Sequence, residues 1–229
     1  VGATPMDRPE DIEWNPVTER LYLALTNNDR RAGVDCDSGE VPLRHGVDAA
    51  NPRPDNRTGH LLEIAEVGND PGGVEFHWEL LLLCGDPSAG VLAHPPPPPI
   101  PSRLTYFAGY TRMDQLSAMG CPDNLAIDPA GNLWVCTDGQ TRALDGGLSL
   151  NDGVYVVELQ GEHRGRVRQF LSGPRGCEIA GPAFTPDGST LFLSVQHPGQ
   201  DGATRAATSD WPDRGGRPPR ASVIAVSRI

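Results

Sequence analysis

The stretch from Pro122 to Gly139 reads PDNLAIDPAGNLWVCTDG. An acid, Asp123, leads a short apolar run. Pro129 and Gly131 then mark a turn. Asn132 to Thr137 follows as a strand that alternates large apolar with smaller residues. The same order recurs in PEDIEWNPVTERLYLALTNN, Pro9 to Asn28, and in CEIAGPAFTPDGSTLFLSVQHPG, Cys177 to Gly199. Glu10 and Asp123 each stand six residues before the turn prolines Pro16 and Pro129. Glu178 stands eight before Pro186, with Gly181 and Pro182 as a bulge. A repeat that carries an acid at one structural position brings several acids toward one axis, which is a way to build a metal site.

Other segments read as strands too: Gly59–Glu66, Gly153–Leu159 and Ser222–Ser227. The sequence predicts little helix. Phe76 to Leu83 sets Glu79 among leucines at helical spacing and predicts two helical turns, and Met113 to Met119 predicts another short one. The turn prolines are 113 and 57 residues apart, which places a degraded middle copy around Gly59 to Leu83. Units of this size with several short strands predict an all-β chain, a partial β-propeller with long irregular loops. Three or four blades do not close a ring. The expectation is therefore that residues 1–229 form the C-terminal part of one propeller domain and that the chain is a fragment. Ala93 to Ser102 holds five consecutive prolines and predicts a polyproline II spacer on the surface. Asn27 to Asn56 and Gln200 to Arg220 are long polar connections, of the kind that are functional or flexible.

Composition narrows the function. The net charge of −11 excludes the basic footprint of a nucleic-acid binder. An acidic protein with an anionic substrate needs local positive charge, from metal ions or a placed arginine. The longest apolar stretch, Leu80 to Cys84, is far too short to span a bilayer. Five cysteines without a CxxC pair argue against a zinc ribbon. Cys121 and Cys177 sit just before repeat acids and read as small buried residues. The short acidic run DCDSGE, Asp35 to Glu40, lacks the spacing of a calcium loop.

At the entry to the first repeat, Arg8, Glu10 and Asp11 fall within four residues. Pro9 biases Arg8 to an extended conformation, which points Arg8 and Glu10 the same way. That pair can grip a phosphoryl group, Glu10 through a metal and Arg8 by a bidentate fork, or it can be a surface salt bridge. Asp123 is either a hard oxygen ligand for calcium or magnesium or a turn residue that satisfies backbone N–H groups. Asp138 has the same ambiguity. Glu178 lies among small and apolar residues, where an unpaired charge is costly, so a metal or arginine partner is expected. His197 is a metal ligand, a proton carrier or a structural hydrogen-bonder.

Five ordered blocks, MDRPEDIEWNP, LYLALTNN, NPRPDNRTGHLLEI, CPDNLAIDPAGNLWVCTDG and FTPDGSTLFLSVQHPG, resemble those of the PhoX family of secreted bacterial alkaline phosphatases. The resemblance runs from Met6 to about Gly199. It implies a six-bladed propeller, hydrolysis of phosphate monoesters, calcium and iron as cofactors on the axis, and periplasmic or secreted location by twin-arginine export. By motif it makes Arg8 the catalytic, substrate-contacting arginine. Glu10, Asp123 and Glu178 become metal ligands. It also implies an iron-ligating cysteine in an N-terminal half of the propeller, the partner this chain would need. The rival reading is a non-catalytic propeller module that binds partners through its loops, its repeat acids serving only turns.

Overall fold

The computed structural model of the chain describes residues 3–29, 31, 46–140, 150–200 and 208–227. Cys36 and the acidic run at 35–40 lie outside them. Pro9–Asn15 (β1), Arg20–Leu25 (β2), His60–Glu66 (β3), Phe76–Leu83 (β4), Val91–Leu92 (β5) and Thr105–Phe107 (β6) make one sheet in the order β1-β2-β3-β4-β6-β5. Pro122–Ile127 (β7), Leu133–Thr137 (β8), Gly153–Val157 (β9) and Val167–Ser172 (β10) make a second, ordered β10-β9-β8-β7. Glu178–Phe184 (β11), Thr190–Gln196 (β12) and Ser222–Ser227 (β13) make a third. Pairing is antiparallel except between β5 and β6. The fold is all-β, a partial propeller whose described residues form three sheets and no closed barrel.

Three expectations are corrected. Phe76 to Leu83 is strand, not helix, because β3 pairs along its whole length from His60↔Leu83 to Glu66↔Phe76. Ladder pairing overrides the weak helical spacing of the leucines. Only Met113–Gln115 of the second expected helix forms, as one 3-10 turn. Gly59 to Leu83 is not a separate middle copy, because Leu21↔Ile64 and Leu25↔His60 join β3 directly to β2. The 113-residue interval is therefore one blade with long loops. The proline run is mostly exposed, as expected, but it ends in Ile100, which is fully buried and donates its N–H to Pro52 O at 2.8 Å.

Strand alternation explains how the sheets stack. In β8 and β9, Leu133, Val135, Tyr155 and Val157 join a core with Tyr22, Leu61 and Leu82 of the first sheet. The alternate residues Cys136 and Val154 join Ile179, Leu191, Leu193 and Val195 of the third. Trp134 packs edge-on against Phe184 at 5.1 Å in that second core. One period-2 pattern thus serves two interfaces. The first sheet shows the counter-case. Ile12, Trp14, Phe76 and Trp78 alternate onto its face away from the second sheet and are exposed.

The stacking sets β1, β7 and β11 side by side as the inner strands. Each carries its repeat acid at its first or second residue, and each acid follows the same backbone device. The residue two positions earlier has positive φ: Arg8 at 50°, Cys121 at 52° and Gly176 at 64°. Arg8 is therefore left-handed, not extended. Proline after it disfavours the right-handed region, and two hydrogen bonds hold the alternative: Arg8 N–H to Met6 O and Thr26 N–H to Arg8 O, both 3.0 Å. Cys121 O accepts from Asp138 N in the same way, at 3.1 Å.

Candidate functional site

The acids meet at the strand starts. Arg8 Nε lies 2.5 Å from Glu10 Oε1, and its Nη2 donates to Asp138 Oδ2 at 3.2 Å. One guanidinium thus joins the first inner strand to the turn after β8. Burial works against its charge, but Glu10 and Asp138 outweigh that and raise its pKa. Asp123 is only 6% exposed. Burial first, then the charges of Glu10, Asp138 and Glu178, push its carboxyl up to about 7, with Arg8 opposing. Four acids from three sheets therefore share one electrostatic neighbourhood. Glu178 accepts from Gln196 Nε2 at 3.0 Å and lies 3.1 Å from His197 Nε2, so His197 faces this cluster as a partner of Glu178.

Two further side chains set the spacing of the inner strands. Asp11 Oδ2 accepts the Leu125 N–H of β7 at 2.8 Å, and Asn124 Oδ1 accepts the Gly181 N–H of β11 at 2.9 Å. Each follows its repeat acid directly, so each inner strand is latched to the next from the same position. The sequence reading placed Asp11 beside Glu10 without this role. The signal was there, an oxygen-bearing residue immediately after the acid in two repeats. The third repeat has Ile179 instead, buried in the second core.

A buried network fixes the entry to β1. Asp7, fully buried, takes Arg31 Nε at 2.5 Å, Asn28 Nδ2 at 3.0 Å and Asn56 Nδ2 at 3.0 Å. On the far side, Asp152 accepts from Gly139 N, Gln140 N and Thr137 Oγ1 and so shapes the turn that presents Asp138. Between these supports lies a cleft of about 400 Å³ lined by Arg8, Asn27, Asp29, Arg57, Cys121 and Asp138.

A family model, alkaline phosphatase PhoX, matches residues 1–199. The chain belongs to the PhoX family. Among solved structures it is similar to Pseudomonas fluorescens PhoX in complex with vanadate, a transition state analogue. That match has a TM-score of 0.73 and 33% identity, and it covers 100% of this chain but 35% of the solved one. No curated protein matches the chain. Among the described residues, no helix is long and apolar enough to cross a membrane.

The two metals implied by the family resemblance fit these residues differently. The carboxylates whose charges, after burial, raise Asp123 are hard oxygen donors of the kind calcium takes. Their sphere is incomplete, because among the described residues no three of the acids, histidines and cysteines are grouped to hold an ion. The cysteine that the resemblance gives to iron belongs to the N-terminal half of the propeller; the described cysteines here, Cys84, Cys121, Cys136 and Cys177, are buried, and burial pushes the Cys84 and Cys121 thiols up to about 12.

Proposed function

We propose that this chain is the C-terminal part of a calcium-dependent alkaline phosphatase that hydrolyses phosphate monoesters. The observation that carries the proposal is Arg8, lodged between Glu10 and Asp138, with the buried Asp123 close enough to feel the charge of all three. Glu10, Asp123 and Glu178 would each offer a carboxylate to calcium, and ligands from the remainder of the propeller would supply the rest of each sphere. Bound there, calcium would neutralise phosphoryl charge and lower the pKa of an oxygen nucleophile. Arg8 would present its planar fork to the equatorial oxygens, a contact that strengthens as charge redistributes. His197 and Gln196 would orient Glu178, and Asp11 and Asn124 would keep the three acids in register. No step is assigned to iron.

The apolar outer face of the first sheet supports the larger ring. Ile12, Trp14, Phe76 and Trp78 are what a neighbouring blade would cover, and the chain spans 35% of its solved relative. We place the whole protein in the periplasm or outside the cell, exported by the twin-arginine route, as the resemblance implies.

The non-catalytic reading draws on one observation. Arg8 is already engaged by two carboxylates, as a structural salt bridge would be. The test is phosphomonoester turnover by the protein at its full natural length, with metal analysis, before and after chelation. Calcium-dependent turnover supports the phosphatase. A metal-free, inactive but folded protein refutes it.

A further inference from the structure

The cleft beside Arg8 adjoins the acid cluster and shares Asp138 with it, but Glu10, Asp123 and Glu178 do not line it. Arg8 and Asp138 are the shared wall, so a phosphoryl group held by Arg8 and the acids would direct its ester oxygen and leaving group into this space.

The lining says what that leaving group is. Asp29 and Asp138 bring carboxylates, Asn27 an amide and Arg57 a guanidinium, side chains that already have partners and whose remaining lone pairs and N–H groups suit hydroxyls. Charges are mixed. Arg57 already lies 3.1 Å from Asp55, and Arg8 is engaged by Glu10 and Asp138. A second anion would therefore meet carboxylates as well as guanidinium groups. An alkyl or aryl group would desolvate polar side chains without partnering them, which is costly. A neutral group with several hydroxyls, each both donor and acceptor, matches a lining of this kind.

The lining is also held in place. Asn56, next to Arg57, exchanges backbone hydrogen bonds with Asn28 at 2.6 and 2.8 Å. Arg57 O accepts the Cys121 thiol at 3.4 Å, and Thr58 O accepts Cys121 N at 2.8 Å. Asn27 Nδ2 reaches Cys121 Sγ at 3.8 Å. Buried Cys121 thus ties both walls of the cleft to the second sheet.

We propose that this cleft is a leaving-group subsite for polyhydroxylated alcohols, so that sugar and polyol phosphates are the favoured esters. The proposal rests on the phosphatase reading and deepens it. The test compares glucose 6-phosphate with hexyl phosphate, two six-carbon esters of primary alcohols, on the full-length protein. The parent should favour the sugar ester by about tenfold or more in kcat/KM, the scale set by a few hydrogen bonds. Arg57→Leu and, separately, Asn27→Leu should shrink that ratio several-fold, with circular dichroism checking the fold of each.

Equal use of both esters by the parent overturns the proposal. So does a ratio that both variants leave intact. An equal loss on both esters in Arg57→Leu would place Arg57 on the phosphoryl group instead, and a clear preference for a sugar bisphosphate would make the cleft an anion site. Calorimetric binding of the two esters reads the same preference without turnover. If nothing is hydrolysed but the sugar ester binds better, the phosphatase reading fails and the subsite stands. If neither reading shows a preference, the subsite fails.

Discussion

Removing the Asp11 carboxylate tests whether the inner strands are held by the latches that follow the acids. Asp11 accepts two backbone N–H groups, from Ile12 and from Leu125, each at 2.8 Å. Water replaces it at exposed Ile12. Leu125 is 3% exposed, so in Asp11→Ala its N–H loses its partner in a place water reaches poorly. A buried donor left unsatisfied costs about 1–3 kcal/mol, and the partial exposure of Asp11 argues for the lower half of that range. One term opposes the loss. Burial and then the Asp11 charge raise the Glu13 pKa, so deleting Asp11 relieves some repulsion. The net expectation for Asp11→Ala is a loss of about 1–2 kcal/mol, or roughly 2–8 °C in Tm for a domain of this size. Asp11→Asn should cost far less, because Asn124 does the same work on Gly181 with an amide oxygen. Urea unfolding of parent, Ala and Asn variants decides. If Asn is as damaging as Ala, the charge and not the acceptor matters. If Ala is neutral, the strands do not depend on the latch.

In the full-length protein, Arg8→Ala should lower kcat/KM by about 10²-fold or more, and Arg8→Lys should recover only part, because an ammonium lacks the planar fork; phosphate-ester turnover at constant metal content reads both. Arg53 is fully buried and donates to Asn56, Thr58 and the carbonyls of Gly59, Cys84 and Leu104. Arg53→Met should cost about 3 kcal/mol or more in denaturant unfolding, since it strips several buried acceptors at once. In metal-free protein, Asp123 binds its proton more tightly folded, at about 7, than unfolded, near 3.8. Its contribution to stability is therefore full below about pH 4 and is lost as pH rises through 7. Asp123→Asn should flatten that part of the stability profile, measured by thermal unfolding in chelator.

The repeat made the inner strands legible, because each copy joins an acid, a Pro-centred turn and an alternating strand. The outer strands were less so. Nothing in Phe76 to Leu83 distinguishes a strand from two helical turns until β3 lies alongside. Likewise Gly59–Leu83 resembled a decayed copy only because its long loop hid that it continues the first blade. Arg8 was placed correctly beside Glu10 but for the wrong backbone reason. Pro9 does exclude the right-handed region, yet the choice between extended and left-handed was made by Met6 and Thr26, which sequence alone does not bring near. The partner role of Asp138 depends on a turn built by Asp152, fourteen residues on, and could not be read from the Thr137-Asp-Gly139 tripeptide.

These local devices combine into one constraint on Arg8. Its guanidinium now divides between Glu10 and Asp138, and a phosphoryl group would compete with both for the same donors. Any cation that takes over Glu10 therefore releases part of the fork, and any phosphoryl group that claims the fork leaves Glu10 and Asp138 in need of positive charge. On the proposed function the two bindings would favour each other through one side chain, and by linkage the favour would be equal in both directions. The left-handed turn at Arg8 keeps that side chain at the seam between the first two sheets. The buried Asp7 network and the latch at Asp11 hold the seam rigid on either side. What the repeat contributes is thus more than three acids at equivalent positions. It also supplies two hydrogen bonds, Leu125 N–H to Asp11 and Gly181 N–H to Asn124, that tie the strands carrying those acids to one another.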